Sequence, residues 1–152
     1  MAEEETKGMK NHLYVIFRII VGLLFFMHGS QKLFGWFGSS SPTPLVSLMG
    51  VVGIIEIVAG IAIAFGLLTR LAAFGGLVVV IGAYTTAHLP KGLWPYQNGG
   101  ELALMYLAAF LVLLAYGSNG YTIRDFLKEK PKPVPSQPTQ PIETTTQEPA
   151  TN

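Results

Sequence analysis

The sequence predicts an all-α fold, a polytopic membrane four-helix bundle with both termini cytoplasmic. Three observations carry this. Half of the 152 residues are hydrophobic and only 12% are charged, with a mean hydropathy of +0.44, which is too apolar for a soluble domain of this size. Apolar runs recur at bilayer length, since roughly 20 residues rising about 1.5 Å each cross a hydrocarbon core of about 30 Å. The basic residues collect on one side of those runs.

The first span is read over residues 13–34, the second over 45–68, the third over 71–89 and the fourth over 101–117. The fourth is the shortest, and its uncharged part reaches only about 22 Å as a helix, so it starts in the Asn98-Gly99-Gly100 turn or thins the bilayer. Basic residues precede the first span as in a signal peptide, but aromatic Gly35-Trp36-Phe37-Gly38 follows it rather than a small-residue cleavage site, so it reads as a retained helix. Residues 1–11 then form a cytoplasmic segment, and 12–126 the membrane domain. Residues 127–152, rich in Pro, Thr, Gln and Glu, form a disordered cytoplasmic tail, because they offer too little apolar surface to offset ordering entropy. The tail is also a candidate docking segment.

Orientation follows from charge. Lys7, Lys10, Arg70, Arg124, Lys128, Lys130 and Lys132 share one side, against Lys32 and Lys91 on the other, which places the termini and the tight Thr69-Arg70 link in the cytoplasm of a cell bounded by this membrane. The outer links carry Trp36, Trp94 and Tyr96, suited to the interface. Net charge is +1, so nothing points to nucleic acid, and membrane lipid is the expected surroundings. The absence of cysteine excludes disulfides, thiol relays, thiolate zinc and iron–sulfur ligation. No flavin or nicotinamide fingerprint is present.

Glu56 is the most informative residue. It stands alone in the apolar second span, where a carboxylate costs from about 2.5 to over 10 kcal/mol unless protonated, paired or wetted. The other polar residues within the spans are Arg18, His28, Gln31, Lys32, Tyr84, His88 and Glu101. By depth, His28, Lys32, His88 and Glu101 can meet in one outer cluster, with Glu56 below it and Arg18 in the cytoplasmic half. Two ion pairs are expected, Lys32 with Glu101, and Arg18 or Lys32 with Glu56. They either hold the helices together or form a site, and the cost of burying them points toward a site. Two histidines at one level also permit haem or metal ligation, but most intramembrane histidines are hydrogen-bonded packing residues and no supporting shell is visible, so no metal site is assigned. Glycines Gly22, Gly29, Gly53, Gly60, Gly66, Gly75, Gly76 and Gly82 read as close-approach positions between helices.

These residues fall into ordered motifs: Arg18-x3-Gly22-x5-His28-Gly29-x2-Lys32-Leu33, Glu56-x3-Gly60 leading to Gly66-x2-Thr69-Arg70, His88-Leu89-Pro90-x-Gly92, Gly100-Glu101-Leu102-Ala103, and Gly117-x2-Gly120 before Asp125. Together they resemble the DoxX family over residues 14–126. The loop after the fourth span departs from the family's usual Gly-Pro-Gly and Ser-Leu-Asp. The resemblance implies a four-helix protein of a bacterial or archaeal cytoplasmic membrane, linked to quinone-dependent redox complexes; related DoxD and DoxA proteins form a thiosulfate:quinone oxidoreductase, and another DoxX joins a complex of oxidative-stress defence.

The favoured expectation is a membrane component of a quinone-linked redox process that binds a quinone or similar amphipathic molecule in the outer half of the bundle. His28, Glu56 and Glu101 are the expected proton-handling, catalytic residues, and His28, Lys32, His88, Trp36 and Trp94 the ligand-binding ones, with Phe25 and Phe26 lining the slot. Electrons then come from another membrane or redox subunit, or from a small substrate. The alternatives are a non-enzymatic membrane subunit or assembly factor, as distantly similar eukaryotic receptors and chaperones would suggest, and a proton-coupled small-solute carrier.

Overall fold

The computed structural model describes residues 2–38, 42–119 and 122, and these are all-helical, without a strand. Helix α1 runs Ala2–Phe34 and α2 Leu48–Phe65. Helix α3 runs Thr69–Ala83 and continues through a π-helical turn, Tyr84–His88, into a 3-10 turn, Leu89–Lys91. A short α4, Pro95–Asn98, leads to α5, Glu101–Tyr116. Glu3–Phe34, Leu48–Phe65 and Thr69–Lys91 are long and apolar enough to cross a membrane, while the apolar Glu101–Tyr116 is shorter. The expected tail, residues 127–152, lies outside the described residues, as do Gly120 and Asp125.

The first helix begins earlier than the expected span. Its first turn holds Glu3, Glu4 and Glu5, which suit the positive end of the helix dipole, and Glu3 precedes Lys7 by four residues, the favoured order for a helical ion pair. Segment 2–12 is therefore helical, so α1, at about 50 Å, exceeds the hydrocarbon thickness and extends beyond it.

Local chemistry sets the other ends. Ser47 caps α2, its hydroxyl oxygen accepting from Gly50 N at 3.1 Å, which satisfies one of the helix's free amides. Gly66 ends α2 at φ 71°, with Gly66 N donating to Ile63 O and Leu67 N to Ala62 O, an αL termination that a Cβ would strain. Leu68 also sits at positive φ, 45°, so α3 starts at once and runs back along α2. The turn is thus Gly66 to Leu68, and Thr69 and Arg70, expected as the link, are the first residues of α3.

Helix α1 packs along α2, α2 on α3, and α3 on α5, with a slighter contact between α1 and α5. The α1–α2 seam is built on glycine. A Cβ at Gly22 would stand 2.6 Å from Gly60 O, one at Gly60 2.5 Å from Phe26 N, and one at Gly29 2.6 Å from Gly53 O, so the backbones touch where small residues allow it. Across α3 and α5, the Phe110 ring lies on Gly76, 2.6 Å from such a Cβ. Two glycines depart from expectation: Gly82 faces open space, and Gly75 meets only Ile55 at 3.8 Å.

The core is small. It comprises Val21, Phe25, Ala59, Ile63, Ala73, Val79, Val80, Tyr106, Phe110 and Leu113. Phe25 meets Phe110 edge-on with centroids 4.9 Å apart, a favoured aromatic geometry. Apolar side chains such as Ile20, Val58, Leu71 and Val78 point outward and are more than half exposed, an apolar belt suited to lipid rather than water.

Candidate functional site

Near the end of α1, the structure brings α1, α2, α3 and α5 around a pocket of about 230 Å³. Its apolar walls include Phe25, Val79, Val80 and Leu102, and its polar ones His28, Lys32, Glu56, His88 and Tyr106. Ala83 and Leu102 are exposed and also line it, so the pocket meets the surface between the end of α3 and the start of α5.

The pocket is anchored by an ion pair between the first two helices. Lys32 Nζ donates to Glu56 Oε1 at 2.7 Å and to Oε2 at 2.6 Å, and the side chains are 29% and 6% exposed. Gly29 and Gly53 make this reach short: the helices nearly touch there, and a Cβ on Gly53 would lie 2.9 Å from Leu33 and 3.3 Å from Lys32 Cβ. The charge that would otherwise be stranded on Glu56 is neutralised by two charge-assisted hydrogen bonds.

His28 stands one turn before Lys32 on the same face. Its ring meets Tyr106 edge-on, centroids 5.5 Å apart, and Tyr106 in turn packs on Phe25 and Phe110 at 5.6 and 5.8 Å. Neither the His28 nitrogens nor the Tyr106 hydroxyl has a hydrogen-bond partner among the described residues. Both line the cavity, so both are free to serve what enters it.

His88 reaches the pocket because α3 is distorted. Pro90 lacks an N–H and its ring crowds the carbonyl four residues back, which breaks the regular ladder. The chain widens into a π turn, with Leu89 N donating to Tyr84 O, and the threonine hydroxyls of that turn bond carbonyls one turn upstream. Thr85 Oγ1 donates to Ile81 O at 2.9 Å, and Thr86 Oγ1 to Gly82 O at 2.7 Å. Such π turns recur at functional sites. His88 Nδ1 then donates to Asn98 O at 3.1 Å; because a carbonyl only accepts, this bond fixes the proton on Nδ1 and leaves Nε2 an acceptor in the neutral ring.

Asn98 organises that corner. It is 3% exposed, its Nδ2 donates to Gly92 O at 2.7 Å and to Tyr84 OH at 3.5 Å, and its Oδ1 accepts from Gly100 N at 2.8 Å. One side chain thus joins the 3-10 turn, the π turn and the entry to α5. Neither Asn98 nor Tyr106 stood among the expected site residues. The Asn98-Gly99-Gly100 turn signal was visible, but its tertiary bonds were not, and a tyrosine inside an apolar helix carries no periodic mark.

Four expectations change with the geometry. Lys32 is committed to Glu56, and the expected Lys32–Glu101 pair does not form: Glu101 is exposed at the first position of α5 and does not line the pocket, where its charge suits the dipole of that helix. Arg18 does not reach Glu56. It lies at the opposite end of the molecule, where Nη1 donates to Ser118 O at 2.9 Å, because ten residues of helix separate it from His28 by about 15 Å. Trp36 and Trp94, expected as pocket walls, are 52% and 70% exposed and outside it. Trp36 instead packs against Phe34 at a tilt and meets Phe37 edge-on. Of the expected slot-lining phenylalanines, Phe25 lines the pocket and Phe26 does not.

Comparison with known proteins agrees with the motif reading. A model of the DoxX family matches residues 13–89. An uncharacterized protein of Haemophilus influenzae is 38% identical over 112 residues, 67% of this chain and 81% of that protein. A Bacillus subtilis protein named "Putative oxidoreductase CatD" is 30% identical over 120 residues, 74% of this chain and 85% of that one. No solved structure matches. On the family match, the two relatives and the apolar helices, this chain is a membrane protein that belongs to the DoxX family.

Proposed function

We propose that the protein is an integral membrane component of a quinone-linked redox process, with a quinone or similar small amphipathic molecule seated in the pocket between Phe25, His28, Glu56 and Tyr106. The observation that carries this is the pairing, in one apolar-walled cavity, of two hydrogen-bonding groups left without partners, His28 and the Tyr106 hydroxyl, with the Lys32–Glu56 pair beside them. The oxidoreductase name of the Bacillus subtilis relative supports the same class of chemistry.

The cavity fits a headgroup rather than a whole lipid-soluble molecule. At about 230 Å³ it is below the roughly 300–1,000 Å³ of sites that enclose drug-sized ligands. It takes a single substituted ring, and the apolar tail leaves past Ala83 and Leu102 into the surrounding lipid. A bound quinone supplies two-electron, two-proton redox chemistry. Within the chain, Tyr106 and His28 orient a ring carbonyl by hydrogen bonding, Lys32 supplies positive charge close by, and Glu56, held by Lys32, is the carboxylate placed to accept or return a proton. His88 presents a second imidazole at the same mouth. In this reading all four long helices cross the cytoplasmic membrane, both termini are cytoplasmic, the pocket lies in the outer half, and the electrons arrive from another subunit or a diffusible donor.

The test is to purify the full chain in mild detergent, extract and identify bound quinone, and titrate a short-chain ubiquinone or menaquinone analogue while following thermal unfolding. Expected are co-purifying quinone and stabilisation by the analogue, both reduced in H28A and E56Q proteins that remain folded. Quinone-free protein whose unfolding the analogues leave unchanged would overturn the reading.

A further inference from the structure

At the end of the helices away from the Lys32–Glu56 pair lies a second cavity, of about 520 Å³, bounded by the α2–α3 turn, the start of α3 and the turn after α5. Two guanidinium groups flank that last turn. Arg18 is 3% exposed; its Nη1 donates to Ser118 O at 2.9 Å, and its guanidinium is packed against Gly66, where a Cβ would stand 2.7 Å from Nη1. Arg70 donates from Nη2 to Ala115 O at 3.1 Å, and its Nε stands 3.1 Å from a Cβ built on Gly117. Among the described residues neither arginine meets a carboxylate.

Among the described residues the charges do not balance. The carbonyls ending α5 carry the equivalent of about half a negative charge, against two full positive ones. A cation buried near a membrane without an anion is costly. Two further groups leave bonding capacity unused: Arg18 Nε and Thr69 Oγ1 are buried and without partners, and Thr69 is 2% exposed. Thr69 and Arg70 are also the first residues of α3, whose N-terminus has no side-chain cap, so its free N–H groups and the positive end of its dipole open on the same cavity. Apart from the hydroxyl, which can do either, these unused groups donate. What they lack is an acceptor with negative charge.

We propose that this cavity binds a phosphate group, held by Arg70, the Thr69 hydroxyl and the free amides of α3, with Arg18 supplying positive charge behind it. Both an anionic phospholipid headgroup and inorganic phosphate carry this chemistry. The rim favours the lipid, because Leu68, Leu71 and Tyr116 beside the cavity are 73%, 66% and 62% exposed and offer an apolar surface to acyl chains.

The experiment uses the full chain in a neutral detergent at constant ionic strength, with thermal unfolding followed by tryptophan fluorescence. Inorganic phosphate is titrated in one arm. In the others, the micelles contain phosphatidylglycerol or phosphatidylcholine. The expected result is a rise in melting temperature with phosphatidylglycerol and not with phosphatidylcholine, identifying a lipid headgroup, or with inorganic phosphate alone, identifying the free ion. In either case R70Q and T69V bind roughly tenfold more weakly, as loss of a charge-assisted or buried hydrogen bond implies. Because Arg70 is exposed, R70Q folds even if changes at Arg18 do not. The proposal is overturned if neither anion shifts unfolding beyond chloride, or if the shift is the same in R70Q and T69V. It is equally overturned if the shift appears only in D125N, which would assign the counter-charge to Asp125, a residue outside the described ones.

Discussion

Lys32 on α1 holds both carboxylate oxygens of Glu56 on α2, at 2.7 and 2.6 Å, across a seam where Gly29 and Gly53 bring the two backbones together. The pair is a wall of the pocket and a clamp between helices at once. Replacing Glu56 by Gln keeps the shape and weakens the clamp, while replacing Lys32 by Met strands a carboxylate that is 6% exposed. K32M is expected to cost about 3 kcal/mol and E56Q less, with K32M/E56Q recovering part of the loss. Reversible unfolding in mixed micelles, run as a double-mutant cycle, checks this; strict additivity of the single changes would show that the clamp contributes nothing.

The glycine seam makes a sharper stability prediction. G22A and G60A each drive a methyl group to within 2.6 Å of opposing backbone, and such overpacking costs about 1–3 kcal/mol or more. G82A meets nothing within 4 Å and sits inside a helix, so it is expected to stabilise by about 0.5–1 kcal/mol through the better helix propensity of alanine. The same unfolding assay separates them by sign.

Asn98 is expected to matter more than its place in a polar turn suggests. N98A takes from Gly92 C=O its amide donor and leaves Gly100 N–H with Pro95 O, at 3.0 Å, as its remaining acceptor, at about 1 kcal/mol for each hydrogen bond lost. The observable is local: amide hydrogen exchange across residues 84–100 should quicken while that of α2 stays slow. Uniform loss of protection would show that the corner does not open on its own.

Two pocket variants separate site from scaffold. Y106F keeps the ring that packs on Phe25 and Phe110 and removes only the hydroxyl, so it is expected to weaken binding of a short-chain quinone analogue roughly fivefold, from about 1 kcal/mol, with unfolding nearly unchanged. E101Q, at an exposed position outside the pocket, is expected to alter stability by less than about 0.5 kcal/mol and leave that affinity intact. A larger effect of E101Q than of Y106F on the analogue titration would move the site outward.

Helix positions were legible in the sequence because their causes are local. Apolar length announces α1, α2 and α3, and Asn98-Gly99-Gly100 precedes α5, while the ends of α2 at the Ser47 cap and the Gly66 termination are set inside the expected 45–68 span by local bonds that the structure shows. Glu56 was legible as a residue in need of a cation, since a lone carboxylate in an apolar run admits few solutions. The family was legible too, because its motifs are short in sequence and ordered along the chain.

What the tertiary structure alone decided is which cation answers Glu56 and what the remaining polar residues do. Counting depth along helices left both Arg18 and Lys32 open to Glu56, and Lys32 open to Glu101 as well. The choice rests on how closely two backbones approach, and the Gly29–Gly53 contact shortens the distance for Lys32 only. The bend at Pro90 brings His88 inward with Asn98, while Trp36 and Trp94 turn out to the surface. Arg18 and Arg70 meet around one turn after α5 because α1 and α3 pass it from different sides. Sequence determined where helices form, since propensity, capping and hydropathy act over a few residues; the site depended on packing between residues far apart in the chain, which spacing alone does not encode.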